Sequence, residues 1–167
     1  MRFRYLAFFA ISFFILGLDL FTKRMALENL ANSSPVEIIP GFFNLVLVFN
    51  SGAAFGILNN ADTTWQTWLF LIVTLLAIIL IIHLLRTMVQ NKFSFLGLAF
   101  IMGGALGNML DRLRYQAVVD FLDFYVGNWH WPAFNVADIA ICVGAGLVII
   151  SLWKKPDRTK NKHDCGL

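Results

Sequence analysis

Four stretches that read as membrane spans run without Asp, Glu, Lys or Arg, at 5–18, 63–85, 93–110 and 139–153. A helix needs roughly 20 mostly apolar residues to cross about 30 Å of hydrocarbon. The second stretch reaches that length alone. The first and third stop at Asp19 and Asp111, and the fourth starts just after Asp138. Carrying each of these helices a turn past its aspartate restores an adequate length, and predicts spans at about 4–22, 64–86, 93–112 and 137–154. The same extension sets three carboxylates at the membrane boundary, all on one side.

Two longer segments connect the spans on that side. The first, about 21–62, carries Pro35, Pro40-Gly41 and Asn50-Ser51-Gly52 as turn signals around 42–49, which is rich in Val, Leu and Phe. It predicts a short strand pair lying on the membrane surface. The second, about 111–138, holds Val118 to Phe124 and the bulky Trp129 to Trp131, and fits either an extended stretch or a short interfacial helix. On the other side the loop near 86–92 is brief, and the basic tail 155–167 reads as disordered. Small residues mark helix contacts: Gly103-Gly104-Ala105-x-Gly107 on the third helix and Ala140-xxx-Gly144 on the fourth. With no internal repeat, 1–167 reads as a single membrane-embedded domain, mainly α.

Composition agrees with the pattern. The chain is 59% hydrophobic and 14% charged, with a mean hydropathy of +0.72, against about 25% charged for soluble domains. A soluble globule, a disordered chain and a disulfide scaffold are excluded. Charge then orients the spans. Nine bases (Arg2, Arg4, Arg86, Lys92, Lys154, Lys155, Arg158, Lys160 and Lys162) fall on one side, and Lys23, Arg24, Arg112 and Arg114 on the other. The base-rich side is cytoplasmic by the positive-inside rule, which puts both termini inside. Eight of the ten acids lie outside. The basic pI of 9.1 therefore describes a rim facing anionic lipid, with no nucleic acid implied.

Arg2 and Arg4 precede an apolar run, as in a signal peptide, but no small-x-small cleavage site follows, so the run reads as a retained first helix. Trp65, Trp68, Trp129 and Trp131 fall near the outer interface and Trp153 near the inner one, as an aromatic belt. Cys142 and Cys165 occupy different environments, so neither a disulfide nor a metal site is expected from them.

Ionisable groups beside a span are costly, roughly 2.5–3.5 kcal/mol at the bilayer centre and less at its edge. Near the outer ends stand Asp19, Lys23, Asn50, Asn108, Asp111, Arg112, Asp120, Asp123, Asn135 and Asp138. Asp19 and Lys23, four apart with the acid first, read as an ion pair closing the first helix. Asn108 and Arg112, also four apart, share a helical face, while Asp111 points elsewhere, to an ion pair or to the cap of a neighbouring segment. Asp138 enters the fourth helix, where an acid suits the dipole and can cap free N–H groups. Two carboxylates held close in a low-dielectric site share a proton, the state that acid–base hydrolysis uses. Spacing alone leaves both Asp120 and Asp123 open as the partner of Asp138. Asp123 is most simply a solvated loop acid.

Five motifs in order carry a family resemblance: Asp19-Leu20-Phe21-Thr22-Lys23, Asn50-Ser51-Gly52-Ala53-Ala54-Phe55-Gly56, Gly103 through Arg112, Val118-Val119-Asp120-Phe121, and Phe134-Asn135-Val136-Ala137-Asp138. Together they resemble the lipoprotein signal peptidases, the membrane aspartyl enzymes also called signal peptidase II. The resemblance implies an enzyme of the bacterial cytoplasmic (inner) membrane that cleaves prolipoproteins just before their diacylglyceryl-modified cysteine. It maps the catalytic pair to Asp120 and Asp138. Asn50, Asn108, Arg112 and Asn135 map to residues that surround the site and hold substrate backbone, and Gly104 is grouped with them. Asp19, Lys23 and Asp111 map to structural support. It further implies a β-cradle over about 36–58, a mobile lid in the second outer segment, and no metal or organic cofactor. Membrane lipids surround the spans, and four spans with one site make a monomer the default.

Two alternatives stand beside this reading. Outer-face carboxylates also suit a proton- or cation-coupled transporter, although no matched pair of broken helices appears. An intramembrane protease of the presenilin type would carry its aspartates inside spans with a Gly-x-Gly-Asp sequence, which is absent.

Overall fold

The computed structural model describes residues 2–31, 35–52, 64–87 and 91–153. Within them the chain forms α1 (Arg2–Leu30), β1 (Val36–Ile39), β2 (Phe43–Asn50), α2 (Thr64–Thr87), α3 (Lys92–Tyr115), β3 (Val118–Val126), β4 (Trp129–His130) and α4 (Val136–Trp153). All four helices are long and apolar enough to cross a membrane. The fold is that of a mainly helical membrane protein with a small antiparallel sheet, as the hydrophobic pattern predicts.

Three spans start and end within a few residues of their expected bounds, and α1 does not. Its 29 residues run about 43 Å at 1.5 Å per residue, well past the hydrocarbon. The expected end at residue 22 assumed that the charges of Asp19 and Lys23 mark the boundary. Both are buried among polar partners instead, so the helix has no reason to stop. Beyond them it is held at its surface by Arg24 Nε donating to Glu28 at 2.7 Å and by Asn29 donating to the Met25 carbonyl at 2.7 Å.

The helix α3 packs against each of the other three. A cluster of Phe8, Ile81, Leu85, Leu98, Ala99 and Met102 joins α1, α2 and α3 away from the sheet. The small residues give α3 and α4 their close seam. A Cβ on Gly97 would stand 2.6 Å from the Gly144 carbonyl oxygen, and one on Gly144 equally close to that of Gly97.

The four strands pair antiparallel in chain order. The expected strand pair is present as β1 and β2, joined by Ile39-Pro40-Gly41-Phe42. Pro40 presets the first central φ, Gly41 takes φ +73°, and Phe42 N–H donates to the Ile39 carbonyl at 3.0 Å. Residues 53–58 of the expected cradle lie outside the described residues, as does the basic tail with Cys165. The second outer segment takes the extended form, one of the two that its sequence left open. Its residues 118–126 are an inner strand of the sheet, bonded to β2 along most of its length and to β4 at its end. Val118-Val119 and the aromatics Phe121, Phe124 and Tyr125 favour a strand. Under the sheet, Phe121 packs with Ala26 and Leu30 of α1.

Candidate active site

The polar residues of the outer ends converge where α1 and α3 approach the sheet and α4 begins. Lys23 is the hub. Its Nζ lies 2.8 Å from Asp19 Oδ2 and 2.8 Å from Asp111 Oδ2, and it donates to Asn108 Oδ1 at 2.9 Å. The ammonium has three protons and here meets three acceptors, so a lysine 2% exposed is fully partnered. The two acids pass the arrangement on. Asp19 Oδ1 accepts from the Ala137 N–H at 2.8 Å, at the start of α4, and Asp111 Oδ2 accepts from the Val119 N–H at 3.2 Å, at the start of β3. Asp111 is thus both the ion-pair partner and the cap that its sequence position left open.

These anchors deliver Asp120 on β3 and Asp138 on α4. Asn135 precedes α4, and its Oδ1 accepts from the Asp138 N–H at 3.0 Å while Asp138 Oδ2 accepts from the Asn135 N–H at 3.3 Å. This is a reciprocal capping box, with aspartate in the position where glutamate is usual. The same Asn135 donates through Nδ2 to Asp120 Oδ1 at 2.7 Å. One residue therefore holds both carboxylates, that of Asp120 through its side chain and that of Asp138 through its backbone N–H. Asn108 donates to Asp138 Oδ1 at 2.8 Å. Asn50 donates to Asp120 Oδ2 at 3.0 Å, its own Oδ1 held by the Gly52 N–H at 3.1 Å.

Burial above all, and then the negative charge of Asp138, push the Asp120 carboxyl up to about 7, against the donors Asn50 and Asn135, which favour ionisation. Asp120 and Asp138 open into a cavity of about 570 Å³, together with Asn50, Arg112, Trp131 and Cys142. The Arg112 guanidinium lies 4.8 Å over the Phe70 ring and donates to the Asn108 carbonyl at 3.5 Å. Gly104 is not on the cavity wall. A Cβ there would stand 2.5 Å from the Ala137 carbonyl oxygen, so its support is the close approach of α3 to the first turn of α4. Among the described residues no group of His, Cys, Asp and Glu has the makings of a metal site.

Asp123 is not a solvated loop acid. It is 6% exposed, and three residues from Asp120 in a strand it lies on the opposite face of the sheet. There it accepts from Asn44 at 3.2 Å and meets His130 Nδ1 at 3.0 Å. Sequence reasoning also passed over Trp131 as a cavity residue and over the Asn135/Asp138 capping box. The second was legible in the spacing Asn-x-x-Asp before an apolar run; the first depends on strand register.

The description "Signal peptidase (SPase) II" belongs to the family model that matches residues 11–154. The chain is 46% identical over 154 residues to the lipoprotein signal peptidase of Oleidesulfovibrio alaskensis, covering 92% of this chain and 99% of the relative. It is 52% identical over 145 residues to that of Maridesulfovibrio salexigens, covering 86% and 93%. A solved bacterial membrane enzyme, determined by the in meso method at 2.3 Å, matches with a TM-score of 0.78 at 31% identity, over 96% of this chain and 94% of that one.

Proposed function

The chain belongs to the signal peptidase II family, and on that premise we propose that Asp120 and Asp138 are its catalytic pair. Its activity is that of a prolipoprotein signal peptidase, a protease of the membrane. The relatives are peptidases, which leaves the transporter reading without support.

The bond cleaved is the one before the diacylglyceryl-modified cysteine. Asp138 takes a proton from water as its oxygen attacks the scissile carbonyl, and Asp120 gives a proton to the departing cysteine nitrogen. The products are a signal peptide with a new carboxylate and a lipoprotein with a new amino terminus. A carboxyl pushed up to about 7 beside a second carboxylate suits this division of roles. Asn50, Asn108 and Asn135 hold the pair in place, and the Arg112 donors bind substrate carbonyls. The observation that carries the reading is the shared Asn135, bonded to Asp120 at 2.7 Å and to Asp138 through the capping box.

An apolar signal helix and two acyl chains hold the scissile bond at the membrane surface, at the depth of the aspartates. The chain works as one membrane-embedded domain, a monomer surrounded by lipid. Its membrane is the cytoplasmic one, with both termini in the cytoplasm and the site near the outer leaflet surface. The excess of bases on the far side from the sheet supports that orientation. The test is the purified chain with a lipidated prolipoprotein. Asp120→Asn and Asp138→Asn should each lower kcat by about 10²-fold or more with the fold intact by circular dichroism. Cleavage at the wild-type rate by either variant removes it from the pair.

A further inference from the structure

The face of the sheet opposite Asp120 carries a second polar cluster, built from side chains that the hydrolysis does not use. Register aligns Glu37, Asn44 and Asp123 in one row across β1, β2 and β3, and sets His130 on β4 opposite Tyr125. His130 Nδ1 lies 3.0 Å from both carboxylate oxygens of Asp123, which also accepts from Asn44 at 3.2 Å. The imidazole stacks on the Tyr125 ring, with centroids 5.1 Å apart and planes 11° from parallel. The Tyr125 hydroxyl donates to Glu37 at 2.5 Å. Asp123 and Tyr125 on β3 and Glu37 on β1 are thus the titratable groups of this face, and β2 contributes the neutral Asn44.

A buried carboxylate needs donors, and His130 supplies one from a side chain half in solvent. The geometry also explains where such a bond would be felt. Adjacent residues in a strand point to opposite faces, so the residue after His130 turns to the cavity side. Trp131 N–H donates to the Phe124 carbonyl at 2.8 Å, and Trp131, Pro132 and Ala133 line the cavity that holds Asp120 and Asp138. Strand β4 has only two residues. Backbone bonds hold the wall at Trp131 and again at Phe134, which exchanges bonds with Leu122, and His130 adds a side-chain tie at its start.

We propose that Asp123 and His130 form a clasp that positions the Trp131–Ala133 wall and thereby sets how tightly the enzyme holds its substrate. They are positioning residues, and the inference rests on reading that cavity as the catalytic site.

Steady-state kinetics of the full chain on a lipidated prolipoprotein test it with His130→Phe and His130→Gln. The phenyl ring keeps the stack on Tyr125 and loses the donor; glutamine keeps a donor. His130→Phe should raise KM roughly three- to tenfold while kcat stays within about twofold, and His130→Gln should recover part of the affinity. Equal KM in wild type and His130→Phe overturns the clasp, as does a loss in kcat alone. If the Phe variant fails to fold, an unchanged KM in His130→Ala overturns it equally. Loss of cleavage in Asp120→Asn tests the catalytic reading separately, so an active wild type indifferent to His130 removes the clasp alone.

Discussion

Asp120 holds its proton because two effects act in one direction, removal from water and the charge of Asp138, while two asparagine donors only partly oppose them. The consequence for activity has a definite sign. Raising the pH through about 7 removes the proton that Asp120 gives to the leaving nitrogen, so kcat should fall over that range. The Asn50 bond favours the charged carboxylate, so Asn50→Leu should move the fall to higher pH; an unmoved limb in a pH–rate profile counts against Asp120 as the titrating group. Stability follows the same proton. The folded value near 7 lies above the unfolded 3.8, so the folded state alone binds the proton between them. Stability from this group is greatest below about 4 and is lost as pH rises to about 7. At this scale the sequence shows which residue types gather at the outer face, and the five motifs single out Asp120. It could not show that Asp123 is buried, because strand alternation separates the two acids only once β3 is known to be a strand.

The elements that carry the pair are set by close packing more than by caps or propensity. The α3–α4 seam depends on positions where a methyl group has no room. Gly104→Ala would place its Cβ 2.5 Å from a backbone carbonyl of Ala137, next to Asp138, and the backbone must move to relieve it. We expect a loss of about 1–3 kcal/mol from overpacking together with reduced cleavage. Gly146→Ala, in α4 with nothing within 4 Å, is the control. There alanine should be neutral or stabilising by up to about 1 kcal/mol, the helical preference over glycine. Unfolding of both variants in mixed micelles checks the sign difference. The glycine pattern was legible as small residues at helical spacing. The extent of α1 was not, since a charge in an apolar run looks like an end until its buried partners, here Asp111 and Asn108, are seen.

Among the described residues the two ends of the molecule differ, with the sheet, the carboxylates and the start of α2 at one end and Arg4, Arg86 and Lys92 at the other. This orientation is testable apart from catalysis. In a chain with both cysteines replaced by serine, a membrane-impermeant maleimide applied to spheroplasts should label Asn128→Cys at the tip of the β3–β4 turn. It should leave Arg86→Cys at the far end of α2 unlabelled until lysis, and the reverse pattern would sink the proposed topology. The amino-acid sequence by itself determined that the chain spans a membrane, how many times, and on which side its polar residues collect. Those properties follow from the cost of placing charge and backbone in hydrocarbon, which is local and readable residue by residue. Only the tertiary structure decided that Asp120 and Asp138 share Asn135, that Lys23 ties α1 to α3, and that residues 118–126 of the second outer segment are an inner strand. Those relations join residues far apart in the chain, through helix seams and strand register that no local pattern specifies.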